Sequence, residues 1–189
     1  ALNGFKDLIY DEQFGPIIPY YITQIYFFQQ SYNQLIEFAS PLLETIIPSR
    51  KLEVNRLLAE AYYRTEDFEN AIIHFTAYVE QIDKVNSTVN FLLGQSYFKV
   101  GEFENAIEKY NMLLKKFPNT NKIDVVYFNI ATNYLQDALT KPLSDDGMLT
   151  IENFQKLQSS VIAYEKVLQL NPYNELAKFN LSILYSSMP

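Results

Sequence analysis

The stretch that decides the fold is Ser87–Thr120, which reads STVNFLLGQSYFKVGEFENAIEKYNMLLKKFPNT. It predicts two amphipathic helices, because apolar residues recur at helical spacing on both sides of a central turn. Gly101 at that turn can adopt a positive φ and end the first helix, and Pro118 cannot continue the second. The small residues Gly94 and Ala106, one on each predicted helix, would let the two helices approach closely. The stretch is therefore expected to form a helical hairpin.

The same hairpin pattern recurs along the chain. At five places a small or short side chain is followed three residues later by a tyrosine, as Gly94 is followed by Tyr97. The other four pairs are Thr23 and Tyr26, Ala59 and Tyr62, Ala131 and Tyr134, and Ser182 and Tyr185. Successive pairs lie 35 to 37 residues apart, except the last, which lies 51 residues after its predecessor. The pentapeptide FENAI also occurs twice, at 68–72 and 103–107, which indicates internal duplication.

The order of small, aromatic and proline residues in 87–120 resembles the tetratricopeptide repeat (TPR), a 34-residue helix–turn–helix unit. The resemblance covers nearly the whole chain and is strongest in 52–120. It implies an all-α fold, a right-handed α-α superhelix (solenoid) of TPR-like helix hairpins.

We expect one TPR-like array over residues 1–189. Its predicted parts are the second helix of a preceding repeat at 1–15, a degenerate repeat at 16–51, repeats at 52–86 and 87–120, a repeat at 121–174 with an insertion at about 136–159, and the first helix of a further repeat at 175–189. Because the pattern begins and ends halfway through a repeat, we expect the sequence to be a piece of a longer array.

The repeat at 16–51 departs from the pattern in its second helix. Leu35 stands where the later repeats have Ala71 and Ala106, and Pro41 falls within the predicted helix. The larger side chain should separate the two helices, and the proline should bend or shorten the second one. We therefore expect a looser hairpin here.

The insertion contains a turn and a helix start. The run Ser144–Gly147 (SDDG) predicts a turn, and Thr150 predicts the N-cap of a long second helix that begins near Ile151. The two aspartates of this run could suggest a calcium loop, but the alternating oxygen ligands and the final glutamate of an EF-hand are missing. A turn is the better interpretation.

Composition excludes several classes of function. The chain has 189 residues, a formal net charge of −7 and 48% hydrophobic residues, so it is long enough and apolar enough for a sizeable core. The negative charge argues against a nucleic-acid partner, since nucleic-acid affinity depends on Lys and Arg. The sequence has no apolar run long enough to span a membrane. It also has no cysteine, which excludes disulfides and thiolate metal sites and fits either the cytosol or an exported compartment.

Nothing in the sequence indicates catalysis. His74 is the only histidine, and no cysteine or second histidine can join it as a metal ligand or catalytic partner. Phosphate-binding glycine loops, nucleophile elbows and zinc-protease motifs do not occur. We therefore expect no enzyme activity, no cofactor and no metal.

Binding is the expected function, because the first helices of such hairpins line a concave surface that holds partners. First-helix positions that packing does not require form the candidate binding set. They are Tyr20, Tyr21, Gln24, Phe27, Phe28, Arg56, Glu60, Tyr63, Arg64, Phe91, Gln95, Phe98, Lys99, Phe128, Asn129, Thr132 and Gln136. Aromatic rings could bury side chains of a peptide or protein partner, while amides satisfy its backbone.

Three alternatives remain at this point. The aromatic rings of the set could pack within the protein, and the segment could serve only as a spacer in a larger protein. The chain could also self-associate through apolar faces near its ends, which carry Leu2, Phe5 and Ile9 on one side and Phe179 and Ile183 on the other.

Two family subclasses bear on the partner. TPR proteins that clamp a C-terminal carboxylate use Lys and Asn where this chain has Arg56, Glu60, Thr88 and Leu92, and Glu60 would repel a carboxylate. A carboxylate clamp is therefore disfavoured. Residues 1–80 resemble segments of large exported TPR scaffolds of the Gram-negative cell envelope, which favours a periplasmic or envelope location over the cytoplasm.

Overall fold

The computed structural model describes residues 2–82, 86–144 and 147–187, and the regular secondary structure within them is α-helical. Helix contacts divide the chain into two units, residues 1–85 and residues 86–189. Unit 1 contains α1 (Leu2–Asp7), α2 (Ile18–Phe28), α3 (Tyr32–Ala39), α4 (Pro48–Arg64) and α5 (Phe68–Val79). Unit 2 contains α6 (Ser87–Lys99), α7 (Phe103–Lys116), α8 (Ile123–Thr140), α9 (Ile151–Leu170) and α10 (Glu175–Ser187). Helices that are adjacent in sequence within each unit pack against one another, which is the arrangement of stacked hairpins.

Unit 1 has its core between α2, α3 and α4. Leu35 is completely buried, as are the small residues Ala59 and Ala71 at the close-contact positions of α4 and α5. The helix α3 ends at Ala39, two residues before Pro41, so the predicted shortening is confirmed.

The first helix of unit 1 is shorter than the pattern at 1–15 suggests. It ends at Asp7, and the chain then turns at Asp11, whose Oδ1 accepts hydrogen bonds from the backbone N–H of Gln13 (2.8 Å) and Phe14 (2.9 Å). An aspartate that bonds its own following backbone in this way favours a turn over helix.

The hydrophobic core of unit 2 is formed by buried residues of α7, α8, α9 and α10, and α6 packs against α7. A Cβ atom added to Gly94 would lie 2.8 Å from Cε1 of the Tyr110 ring, and Ala106 is completely buried. Gly101 has φ +80° at the turn between the two helices. The predicted roles of Gly94, Ala106 and Gly101 are therefore confirmed.

The insertion lengthens two helices instead of forming one long loop. Helix α8 continues to Thr140 and α9 begins at Ile151, so only a short connection separates them. Thr150 is the N-cap of α9, and its Oγ1 accepts a hydrogen bond from the backbone N–H of Asn153 at 3.1 Å, as predicted.

A buried ion pair fixes the added turns of α8 and α9. The carboxylate of Asp137, which is only 4% exposed, lies 2.6 Å from Nζ of Lys156. Lys156 also pairs with Glu152 at 2.8 Å and with Glu104 at 3.3 Å. Burial works against the charge of Lys156, but its hydrogen bonds to Asp137 and Glu152 outweigh that effect and raise its pKa.

Candidate interaction surface

The candidate residues fall on the first helices of both units. In unit 1 they lie on α2 and α4, and in unit 2 on α6 and α8. We call these two sets the first-helix face of unit 1 and the first-helix face of unit 2. Most of their side chains are half-buried, while Tyr21, Phe28, Arg64 and Lys99 are exposed.

Tyr20 belongs to the core of unit 1, contrary to its predicted place on the binding face. Its side chain is 7% exposed, and its hydroxyl accepts a hydrogen bond from Nε2 of Gln24 at 2.7 Å. The guanidinium of Arg50 lies 4.8 Å from the ring centroid. Aromatic residues occur on several sides of α2, so helical periodicity alone could not distinguish the buried ring of Tyr20 from the exposed rings.

The other aromatic residues of α2 form a partly exposed cluster. The Tyr21 ring lies 5.9 Å from that of Phe5, and Phe27 contacts Phe28 (6.4 Å) and Tyr32 (6.1 Å) between ring centroids. Phe28 is 79% exposed. This end of unit 1 therefore presents apolar ring surface to solvent.

Arg56, on the first-helix face of unit 1, already forms ion pairs within α4. Arg56 lies 2.6 Å from a carboxylate oxygen of Glu53 and forms a second ion pair with Glu60. The hydrogen bond to Glu53 is the largest of several effects that raise the pKa of Arg56. The Arg56 guanidinium also lies 5.9 Å from the Phe27 ring. With two carboxylates beside it, this arginine is poorly placed to receive a carboxylate ligand, which agrees with the sequence argument against a clamp.

Tyr63 and Phe98 occupy equivalent positions in the two units. The Tyr63 ring packs against Phe68 at 5.7 Å, and the Phe98 ring packs against Phe103 at 5.8 Å. Phe68 and Phe103 are the first residues of the two FENAI segments. Burial raises the pKa of Tyr63. These two rings therefore help to hold each hairpin together, and only part of each ring surface is open to a partner.

The first-helix face of unit 2 is held by two buried tyrosines. Phe91 packs edge to face against Tyr110 at 5.9 Å, and the Tyr110 hydroxyl accepts a hydrogen bond from Nδ2 of Asn129 at 3.3 Å. Phe128 packs in the same way against Tyr164 at 5.5 Å. The same arrangement thus occurs at two successive hairpins.

Tyr164, the second of these buried tyrosines, has two polar partners. The Tyr164 hydroxyl lies 3.0 Å from Oγ1 of Thr132 and accepts a hydrogen bond from Nδ2 of Asn180 at 2.8 Å. Burial raises the pKa of the Tyr164 hydroxyl. Asn129 and Thr132 are consequently held in fixed orientations, while the amides of Gln95 and Gln136 lie half-buried on the same face.

Unit 2 also has an apolar pocket that the sequence pattern does not predict. An apolar pocket of about 860 Å³ lies between the α8–α9 connection and the C-terminal end of α10 in unit 2. Its apolar lining residues are Leu143, Met148, Leu149, Ile151 and Phe154. The available signal was the high share of apolar residues around the predicted turn and the predicted start of the helix near Ile151.

Two further findings concern other kinds of site. Within residues 2–82, 86–144 and 147–187, no helix is long and apolar enough to cross a membrane. Over the same ranges, no group of three or more histidine or acidic side chains is placed to hold a metal ion.

Comparison with known proteins agrees with the fold. Residues 89–120 match a family model described as tetratricopeptide repeat. The solved structure of YrrB, described as a TPR protein with an unusual peptide-binding site, is 13% identical, has a TM-score of 0.69, and aligns over 98% of this chain and 84% of its own. No curated protein matches the sequence.

Two solved MamA structures are also similar. MamA AMB-1 is 17% identical with a TM-score of 0.67, over 93% of this chain and 85% of its own. MamA MSR-1 is 16% identical with a TM-score of 0.58, over 88% of this chain and 87% of its own. These comparisons do not show the expected resemblance to exported envelope scaffolds, so the compartment stays a prediction. Residues 89–120 are a tetratricopeptide repeat, and the chain as a whole has the fold of tetratricopeptide repeat proteins.

Proposed function

We propose that this chain is a non-catalytic scaffold that binds a peptide or protein partner on its first-helix faces. In solenoids of helix hairpins these faces form the concave binding surface. The observation that carries the proposal is the bracing of Phe91, Phe128, Asn129 and Thr132 by two buried tyrosines. Side chains that are already ordered lose little entropy on binding, so such a face is suited to recognition.

The chemistry of the face in unit 2 fits an extended protein segment. The partly exposed rings of Phe91 and Phe128 offer apolar contact, and the amide groups of Gln95 and Gln136 are of a type that both donates and accepts hydrogen bonds. A bound segment needs both, because its side chains must be buried and its backbone groups must find partners. YrrB, whose fold is similar, is described as having a peptide-binding site, and this supports the proposal by analogy.

Capture with immobilised protein tests the proposal. The bait is the chain itself, compared with a Gln95→Ala, Gln136→Ala double variant. The matched control is Gln155→Ala, Gln169→Ala, which changes two exposed glutamines of α9 outside the first-helix face. Any protein retained by the wild type is then purified and its dissociation constant is measured against all three baits.

We expect the partner to be lost from the first variant and kept by the control, with unchanged circular dichroism spectra for both. Equal retention by all three baits would contradict binding on this face. In that case a spacer role would describe the segment better.

Self-association is a second candidate, supported by one exposed face of α10. Leu176, Phe179 and Ile183 are each at least half exposed there, whereas Leu2, Phe5 and Ile9 are partly buried against the core of unit 1. Sedimentation velocity over a concentration series tests it. A sedimentation coefficient that rises with concentration, and that Phe179→Ser holds constant, would support self-association through α10, and a constant monomer value for the wild type would contradict it.

A further inference from the structure

We propose that the first-helix face of unit 2 binds an extended protein segment that carries acidic side chains. This inference rests on the proposed binding function and names the class of partner for that face. It begins from the uneven distribution of charge along the chain. Unit 1 has 12 acidic and six basic residues, whereas unit 2 has ten acidic and nine basic residues, so unit 1 carries six of the seven net negative charges.

The acidic side chains on the two helices of this face are few and already engaged. Helix α6 contains no acidic residue. Helix α8 contains two, of which Asp137 pairs with Lys156 of α9 at 2.6 Å. The other is Asp124, whose Oδ2 accepts a hydrogen bond from Nδ2 of Asn171, the C-cap of α9, at 3.0 Å. A positive charge beside the face therefore meets little competition from carboxylates of its own helices.

Lys122 supplies such a positive charge. Its ammonium lies 5.8 Å from the centroid of the Phe91 ring, and the residue is exposed. Among the residues that the structure describes, no carboxylate forms an ion pair with it. On the first-helix face of unit 1, by contrast, Arg56 already pairs with Glu53 and Glu60. An incoming carboxylate can therefore gain an ion pair at Lys122 without displacing another one.

Lys122 also belongs to a basic stretch of an otherwise acidic chain. Between Glu108 and Asp124 the sequence has four lysines and no acidic residue. Two of these lysines, Lys115 and Lys116, are exposed in the last turn of α7. Because the fields of neighbouring charges add, this part of unit 2 attracts an acidic segment and repels a basic one.

Two lysines at opposite ends of α6 suggest a spacing for the acidic residues of the partner. Lys122 lies over Phe91, near the start of α6, and Lys99 is the exposed last residue of that helix. The rise of α6 from Phe91 to Lys99 is about 12 Å. An extended segment along α6 covers this distance with about four residues, and side chains four positions apart point to the same side. We therefore expect two acidic residues about four positions apart.

Three matched peptides test the inference. Each is a fluorescein-labelled peptide of about ten residues, long enough to span the face in extended form, with leucine and phenylalanine between two variable positions at the spacing given above. These two positions hold glutamate in the first peptide, glutamine in the second and lysine in the third. Binding to the full chain is followed by fluorescence anisotropy. We expect the glutamate peptide to bind most tightly, the lysine peptide to bind most weakly, and added salt to weaken the glutamate peptide most.

Two charge reversals in unit 2 form a matched pair of variants. Lys122→Glu changes the first-helix face, and Lys166→Glu makes the same change of charge on α9, which is a second helix. We expect Lys122→Glu to weaken binding of the glutamate peptide about tenfold and Lys166→Glu to weaken it less than about twofold. The lysine peptide should bind Lys122→Glu more tightly than it binds the wild type, which a merely unfolded variant could not do.

The contrary results are equally distinct. No binding of the glutamate peptide, or equal effects of the two charge reversals, would overturn the acidic class of partner. Oligothymidine that competes as well as the unlabelled glutamate peptide would assign the site to polyanions of any kind and overturn it as a site for a protein segment. The proposed function is judged separately, since a captured partner that is lost with Gln95→Ala, Gln136→Ala but kept by Lys122→Glu would uphold binding on this face and reject the acidic class.

Discussion

Helices α5 and α7 begin with the same five residues, yet the two units use them differently. Four residues after the shared alanine, α5 has Phe75 and α7 has Tyr110, and both side chains are essentially buried. Tyr110 brings a hydroxyl into the core, and Asn129 of the next helix supplies its hydrogen bond. The comparison shows that one backbone pattern accommodates either an apolar contact or a polar bond, provided that the polar group finds a partner.

The close contact between the helices of a hairpin should be the most sensitive position in both units. Ala106→Leu adds three carbon atoms at a completely buried site and should lower the free energy of unfolding by about 1–3 kcal/mol through overpacking. Urea denaturation followed by circular dichroism measures the change. Ala71→Leu at the equivalent site of α5 should have a similar cost, and an unchanged denaturation midpoint for both would contradict the register.

The tyrosine that distinguishes α7 can be tested by a double-mutant cycle. Tyr110→Phe removes the hydroxyl that accepts from Asn129 and should cost about 0.5–1.5 kcal/mol in unfolding free energy. Asn129→Leu removes the donor instead, and the double variant should lose less than the sum of the two, because both changes remove the same hydrogen bond. Strictly additive losses would mean that the hydrogen bond contributes nothing.

The two hairpins also differ in the cap before FENAI. Asp67 precedes α5, and its carboxylate accepts a hydrogen bond from the backbone N–H of Asn70 at 3.2 Å. Glu102 precedes α7 in nearly the same backbone conformation, but in the part of the chain that the structure describes its side chain makes no cap bond to the backbone. Glu102→Asp should therefore stabilise the protein by about 0.5–1 kcal/mol, as judged by urea denaturation. The reverse change, Asp67→Glu, serves as the control and should destabilise the protein. If both variants were more stable than the wild type, the N-cap hydrogen bond would not explain the difference.

The sequence predicted the hairpins well because they depend on local signals. The close contact at Gly94, the turn at Gly101, the short helix before Pro41 and the cap at Thr150 each follow from the conformational limits of a single residue. The short α1 was harder to predict, since its apolar spacing is helical while the turn at Asp11 ends it.

The candidate surface was harder to predict from the sequence, because the exposure of each aromatic ring depends on which other helix packs against it. Tyr20 and Phe28 belong to the same aromatic run, but one is in the core and the other is exposed. The pocket beside Ile151 required the connection and α10 to be placed side by side, and no periodicity encodes that contact.

The smallest expected difference between the two hairpins is a pH dependence that only α5 can have. His74 stacks on Tyr62 at 5.3 Å, its Nδ1 lies 2.9 Å from Oδ1 of Asn55, and burial lowers its pKa. Because the folded-state pKa is below the unfolded value of about 6.5, the folded protein binds a proton less readily, and its stability should fall as the pH drops below about 6.5. At the equivalent position α7 has Lys109 in place of a histidine. Thermal melting at pH 7.5 and pH 5.5 should therefore show a smaller shift for His74→Gln than for the wild type, and equal shifts would assign the pH dependence to other groups.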